Sequence, residues 1–264
     1  MPKTNPIKEL KNNIKENKTT FAVYALLRAF VITSLVISLI RNDFESAFVC
    51  ALSLILFLVP SFLEKRLKIY LPSVLEIIIL LFIFAAEILG ELNAYYVKIP
   101  YWDTMLHTVN GFLCAAVGFA LIDILNRNDK FKFQLSPLYV AIVAFCFSMT
   151  IGVLWEFFEF AMDYFLGFDM QKDAIINEIR SVALDPTKTN KVVTLPNITE
   201  VMINGKELSV GGYLDIGLYD TMADLFVNFI GAVVFSFIGY FYIKTRGKGK
   251  IAKNFIPTLR QEQE

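Results

Sequence analysis

"YWDTMLHTVNGF" occupies residues 101–112, and how it is read decides how the rest of the chain is read. It begins an apolar run with Asp103, His107 and Asn110 at i, i+4 and i+7, which is one stripe of a helix. A helix that is apolar on its other sides belongs in lipid, and its polar stripe must then face protein. A related phrase, "LYDTMAD", recurs at 218–224, again with two acids four apart, Asp220 and Asp224.

The surrounding chain fits a membrane setting. Its 264 residues are 56% hydrophobic, with a mean hydropathy of +0.54, too apolar for an ordinary soluble domain. Basic and acidic residues balance at 25 each, and no zinc-finger, phosphate-loop or nucleic-acid motif occurs, so a nucleic-acid partner is not expected. Six stretches reach the length of a bilayer-crossing helix, about 20 residues. They lie near 21–40, 46–63, 72–92, 103–125, 137–163 and 219–243. The expected fold is therefore an all-α membrane protein of six transmembrane helices, with the lipid bilayer as its first partner. The fifth stretch is long enough to tilt or protrude. The first follows a Lys-rich start but is of full spanning length with no cleavage site after it, so it is expected to be a retained span. Cys50, Cys114 and Cys146 all fall in spans and read as packing residues, without a disulfide framework.

Basic residues orient the spans. Five lysines precede the first span (Lys3, Lys8, Lys11, Lys15, Lys18), and three basic residues each fall at 64–71 and 126–136. Six more follow the last span, whereas the short loops of the opposite side carry only Arg41 and Lys98. Both termini are expected in the cytoplasm, in a cytoplasmic (inner) membrane, with the long loop outside. The layout is a basic tail (1–20), five helices (21–163), an extracytoplasmic loop (164–217), a sixth helix (218–243) and a second basic tail (244–264). In the loop, "DAIINEIRSVAL" (173–184) suggests a short surface helix. A hairpin is expected within 191–210, turning at Asn204-Gly205 in type I′ geometry.

The acids are distributed unevenly. Ten lie within spans or at their ends, against one basic residue, Arg28. In the expected orientation eight of the ten gather in the outer half: Glu87, Glu91, Asp103, Glu156, Glu159, Asp163, Asp220 and Asp224. Glu156, Glu159 and Asp163 sit at i, i+3, i+7; Asp220, Asp224 and Asn228 at i, i+4, i+8; Glu87 and Glu91 at i, i+4. Carboxylates packed together without a lysine or arginine need protons, water or a cation to coexist. Oxygen donors with one imidazole suit Mg²⁺, Mn²⁺, Zn²⁺ or Ca²⁺. The expected ligands are Asp103, His107, Glu156, Glu159, Asp220 and Asp224, flanked by Glu87, Glu91, Asp163, Asn110 and Asn228. His107 or Glu159 is the expected general base. Gly111, Gly118, Gly152 and Gly231 would let the helices approach closely.

Plainer readings stand beside these. Asp103 and Asp220 suit helix N-caps, which does not explain His107 and Asp224 one turn deeper. A lone histidine in a helix is more often a hydrogen-bonded core residue. Trp155 suits an interfacial anchor, and Arg28 is expected to snorkel or to pair with Glu76.

"YWDTMLHTVNGF", "GVLWEFFEFAMD" (152–163) and "GLYDTMADLFVNFIGA" (217–232) together resemble the YjdF-like family of uncharacterised bacterial inner-membrane proteins. The resemblance covers roughly spans three to six. It implies six helices and picks out Asp103, His107, Glu156, Glu159, Asp220 and Asp224; it implies no activity. The order W-E…D…N…G is also similar to VanZ-like membrane proteins. Three functions follow as alternatives: a metal site acting on a lipid-linked or other envelope substrate, a cation or proton-coupled transporter, or a non-catalytic envelope protein. Nothing in the sequence sets the oligomeric state.

Overall fold

The computed structural model describes residues 18–67, 69–126, 135–245 and 252–259. Most of the tail 1–20, Lys68, the basic residues of 127–132, and Arg246, Lys248, Lys250 and Arg260 lie outside the described residues. The chain divides into two compact units, one running to Gly152 and resuming at Val227, the other Val153–Phe226.

The helices are α1 (Lys18–Ile40), α2 (Phe44–Leu56), α3 (Val59–Leu67), α4 (Ser73–Ile83), α5 (Tyr95–Lys98), α6 (Trp102–Asn126), α7 (Pro137–Leu166) and α8 (Leu218–Lys244). Six spans are long and apolar enough to cross a membrane: Lys18–Ile40, Phe44–Arg66, Ser73–Leu92, Trp102–Asp123, Pro137–Leu166 and Leu218–Lys244. These match the six expected stretches. The second combines α2 and α3, with the break at Phe57–Leu58. Pro60, in the first turn of α3, lacks the N–H that would continue the α2 ladder. Asp43 caps α2, accepting from the Ser46 N–H at 3.1 Å and its hydroxyl at 2.6 Å. The Ser46 hydroxyl first, then its N–H, hold the Asp43 carboxyl below its ordinary value.

In the first unit, aromatic and small residues form the main core. Ala115, Ala116 and Phe119 of α6 pack with Val140 and Ala144 of α7 and with Ala232, Phe235 and Tyr242 of α8. A second cluster joins Leu27 and Val31 of α1, Cys50 of α2, Phe57, and Leu80 and Ile83 of α4. Outward faces are as apolar as the core: Leu26 and Phe48 are 72% and 68% exposed. That is the pattern of helices bathed in lipid tails, not water.

Without a hydrophobic drive between helices in lipid, close packing holds them together. The tightest approach is between α6 and α8. A Cβ on Gly111 would collide with the backbone carbonyl of Asn228, and a Cβ on Gly231 with that of Thr108. Opposite Gly152 of α7 lies the Asn228 side chain, 2.6 Å from where a Cβ would stand. Ser148 of α7 donates its hydroxyl to the Gly111 carbonyl at 2.7 Å, fastening the third helix to the same point.

The segment after α8 returns to the bundle. Thr258–Leu259 (β8) pairs antiparallel with Ile69–Tyr70 (β1), Ile69 opposite Leu259. Ile256 is buried in the main core, and Phe255 meets the Phe112 ring edge-on at 5.4 Å. The second basic tail is thus partly built into the fold.

The second unit comprises the end of α7, the loop and the start of α8. Its strands are short: β2 (Ile175–Ile176), β3 (Ile179–Ser181), β4 (Val193–Leu195), β5 (Met202–Ile203), β6 (Lys206–Glu207) and β7 (Tyr213–Leu214). The helix expected at 173–184 is replaced by β2, β3 and a 3₁₀ turn at Val182–Leu184. The β-branched Ile175, Ile176 and Ile179 find partners in β7 and β4, and that pairing overrides weak helix propensity. The hairpin is confined to β5 and β6, shorter than the 191–210 expected, since β4 pairs with β3. Its turn is as read: Asn204 at φ 52° and Gly205 at φ 78° give the two positive angles of type I′.

Two aspartates organise the loop. Asp185 accepts from the backbone of Thr187, Thr189 and Lys191 and from both threonine hydroxyls. The Thr187 hydroxyl and then its N–H drive the Asp185 carboxyl well below the ordinary range. Asp215 accepts from Ala174, Gly217 and Tyr219 N–H, tying β2 to the start of α8. Burial would raise its carboxyl, but those backbone donors outweigh it and lower it.

The α6–α8 contact predicts its own test. Gly231→Ala places a methyl against main-chain atoms that cannot rotate away, costing about 1–3 kcal/mol or more. The thermal unfolding midpoint in detergent should fall; an unchanged midpoint contradicts the contact.

Candidate metal centre

The first unit contributes the stripe on α6. His107 is buried, and its Nε2 lies 3.5 Å from Asp103 Oδ1, one turn nearer the helix start. A carboxylate at that position holds the ring's orientation. Asn110, half-buried, accepts a weak S–H contact from Cys114 at 3.5 Å. On α8, Asn228 is 1% exposed. Its amide N–H₂ points to Met149 Sδ at 3.7 Å, and its Oδ1 has no hydrogen-bond partner among the described residues.

The second unit contributes the end of α7, where the polarity is inverted relative to a water-soluble helix. Glu156 and Glu159 are buried at 4% and 7% exposure. Leu154, Trp155, Phe157, Phe158 and Phe160, between and around them, are exposed. The sequence "WEFFEF" therefore turns its acids inward and its rings outward, which is the arrangement a lipid environment selects. Trp155 donates its indole N–H to Glu159 Oε1 at 2.9 Å. The residue read as an interfacial anchor thus also orients a carboxylate, a role its i, i+4 spacing to Glu159 could have signalled. Asp224, in the first turns of α8, is 3% exposed.

Other expected site residues have different employment. Asp163 accepts from the N–H of Met170 and Gln171 at 2.6 and 2.8 Å, closing the chain as it leaves α7. Asp220 accepts from the Lys172 N–H at 2.8 Å, and the neighbouring Thr221 hydroxyl accepts from Gln171 Nε2 at 2.6 Å. Both aspartates fasten the 167–173 turn. Glu87 and Glu91 lie on a π-helical segment, Phe84–Leu92, which continues α4. Glu87 is half-buried and Glu91 exposed. Gly90 in that segment sits beneath the Tyr96 ring, and the Asn93 amide closes the segment on the Ile88 carbonyl at 2.6 Å. The wide turn was not legible, since the chain there carries no proline and a single glycine.

The buried donors are therefore His107, with Asp103 beside it, in the first unit, and Glu156, Glu159 and Asp224 in the second. Imidazole and carboxylate groups are donors that suit a divalent metal ion. Asp220, Glu87, Glu91 and Asp163 are not among the buried acids of the described residues.

Comparison with known proteins finds a partial relative. An "Uncharacterized protein" of Thermotoga maritima is 26% identical over 107 residues, 40% of this chain. The aligned region is 53% of that protein, so the chain spans about half the length of the curated relative it matches. No solved structure matches. The family described as "Predicted membrane protein (DUF2238)" matches residues 23–245, from the first span to the end of the last, and the chain belongs to that family.

Proposed function

We propose that this membrane protein binds one divalent cation through His107, Glu156, Glu159 and Asp224, with Asp103 completing the set, and that the cation acts on a lipid-linked phosphate at the outer membrane surface. The observation that carries the reading is the burial of four ionisable side chains with no lysine or arginine among them. Anionic groups withdrawn from water need a compensating charge.

Within the first unit, Gly111, Gly152 and Asn228 mark one close crossing of α6, α7 and α8. In the sequence, His107 lies four residues before Gly111, Glu156 four after Gly152 and Asp224 four before Asn228. Asn228 Oδ1, which has no hydrogen-bond partner among the described residues, is a further oxygen donor on α8.

A bound cation would polarise a phosphoryl oxygen or acidify a water molecule. The chain's own part is then definite. With Nε2 facing the Asp103 carboxylate, which fixes the ring, His107 would offer Nδ1 to the cation. Glu159, oriented by the Trp155 N–H at Oε1, would act as the general base. The exposed rings of Phe157, Phe158 and Phe160 would lie among lipid tails, where a prenyl or acyl chain arrives. A purely structural cation is the second reading, favoured by how closely the donors are enclosed. Transport is disfavoured, because Glu76 and Asp123 are the two span acids assigned to the inner half, too few for a continuous route.

The basic-residue asymmetry supports cytoplasmic termini in a cytoplasmic membrane, which puts these donors on the outer side. A reporter enzyme fused after Glu264 should be active only as a cytoplasmic fusion; periplasmic activity would reverse the geometry.

Metal content of detergent-purified protein tests the site. Wild type should hold about one equivalent of divalent cation. His107→Ala and Glu156→Gln should each weaken binding by about 10–100-fold. Unaltered binding in both variants removes the site. Phosphate release from polyprenyl or phospholipid phosphates, lost in Glu156→Gln, separates the catalytic reading from the structural one.

A further inference from the structure

Arg28 has no place in the metal-site account, yet it is the one basic residue of the described chain more than two turns from either end of a candidate span. It stands ten residues into α1 and twelve from its end, about 15 Å along the helix from Lys18. A guanidinium at that depth in hydrocarbon is costly, and it stays charged at any accessible pH. The expected pairing with Glu76 does not occur: no ion pair joins Arg28 to a carboxylate among the described residues, and its buried Nε has no hydrogen-bond partner there. Its nearest recorded partner is neutral, the Tyr24 ring, whose centroid lies 5.0 Å from Cζ.

The same stripe continues toward the helix start. Thr20, Tyr24 and Arg28 are spaced i, i+4, i+8. Thr20 is 4% exposed, and its hydroxyl also lacks a partner among the described residues. A hydroxyl, a phenol and a guanidinium thus run in line from the end of α1 into the membrane. Ala25, Leu26, Ala29 and Phe30 beside Arg28 are exposed, so the stripe lies at the border of the lipid-facing surface. An unpaired cation at a lipid border, with hydrogen-bond donors leading to it, matches a tetrahedral oxyanion carried on an apolar tail. Arginine recognises phosphate through its planar fork, and the tyrosine ring holds the guanidinium plane while the chain reaches toward the headgroups.

We propose that the Thr20–Tyr24–Arg28 stripe of α1 binds the phosphate of an anionic phospholipid in the leaflet at the Lys18 end of the helix. The site is separate from the metal donors and stands whether or not they bind a cation.

Native mass spectrometry of the full chain, released from nanodiscs of equal phosphatidylglycerol and phosphatidylcholine, reads this directly. Wild type should retain phosphatidylglycerol preferentially. Arg28→Gln should lower that preference about tenfold, the loss of one charge-assisted contact. Arg28→Lys should retain part of it, because the charge remains and the fork does not. Tyr24→Leu, which leaves the guanidinium in place, should weaken it to a lesser degree and guards against a Gln variant that fails to fold. Millimolar inorganic phosphate should leave the lipid bound. Three results would overturn the proposal: no preference in wild type, equal preference in wild type and Arg28→Gln, or displacement by inorganic phosphate, which would assign the stripe to a free anion.

Discussion

Hydrocarbon will not accept an ionised carboxylate, and the arrangement of this chain follows from that refusal. Each carboxylate placed on a spanning helix costs about 2.5–3.5 kcal/mol at mid-bilayer. The helices therefore rotate their acids inward and leave leucine and phenylalanine outside. The end of α7 shows it most plainly. Glu156 and Glu159 are enclosed, whereas the neighbouring phenylalanines and Trp155 are exposed. Enclosing them creates a second demand, since anions withdrawn from water need hydrogen-bond donors, protons or a counter-charge. Gly111 and Gly231 answer a third, because only glycine lets the α6 and α8 backbones come within reach at that level, and Gly152 makes room for the Asn228 side chain.

The same residue type serves a different purpose in the loop. Asp163, Asp185, Asp215 and Asp220 accept backbone N–H groups and hold a long connection in shape without much regular structure. With strands of two or three residues, few ladder bonds are available, so side-chain acceptors take their place. A carboxylate that already accepts main-chain donors at the helix mouth is a poor candidate for a metal. That separates Asp163 and Asp220, which staple the chain, from Asp103, Glu156, Glu159 and Asp224, the carboxylates of the proposed cation site.

Much of this was legible beforehand. The six spans, the glycine contacts and the inward stripes of α6, α7 and α8 all follow from helical period and apolar composition. The Asn204-Gly205 turn follows from its dipeptide. Period alone could not separate Asp220 from Asp224, because the 167–173 turn that engages Asp220 is brought there by tertiary folding. Nor could it show the π-helical segment bearing Glu87 and Glu91, the strands at 173–184, or the return of Ile256 to the core. Each of these depends on a partner distant in sequence. Trp155 was recognised for its ring and not for its N–H.

The central claim is that separate helices hold one ion between them, and a double-mutant cycle on cation affinity addresses it most directly. Affinity would be measured for wild type, His107→Ala, Glu159→Gln and the pair. A shared ion predicts that the double variant departs from the sum of the single losses by about 0.5–3 kcal/mol, since removing either donor already disrupts the other's contact. Losses that add within about 0.3–0.5 kcal/mol would mean that His107 and Glu159 serve different places, and the account of a common centre would be wrong.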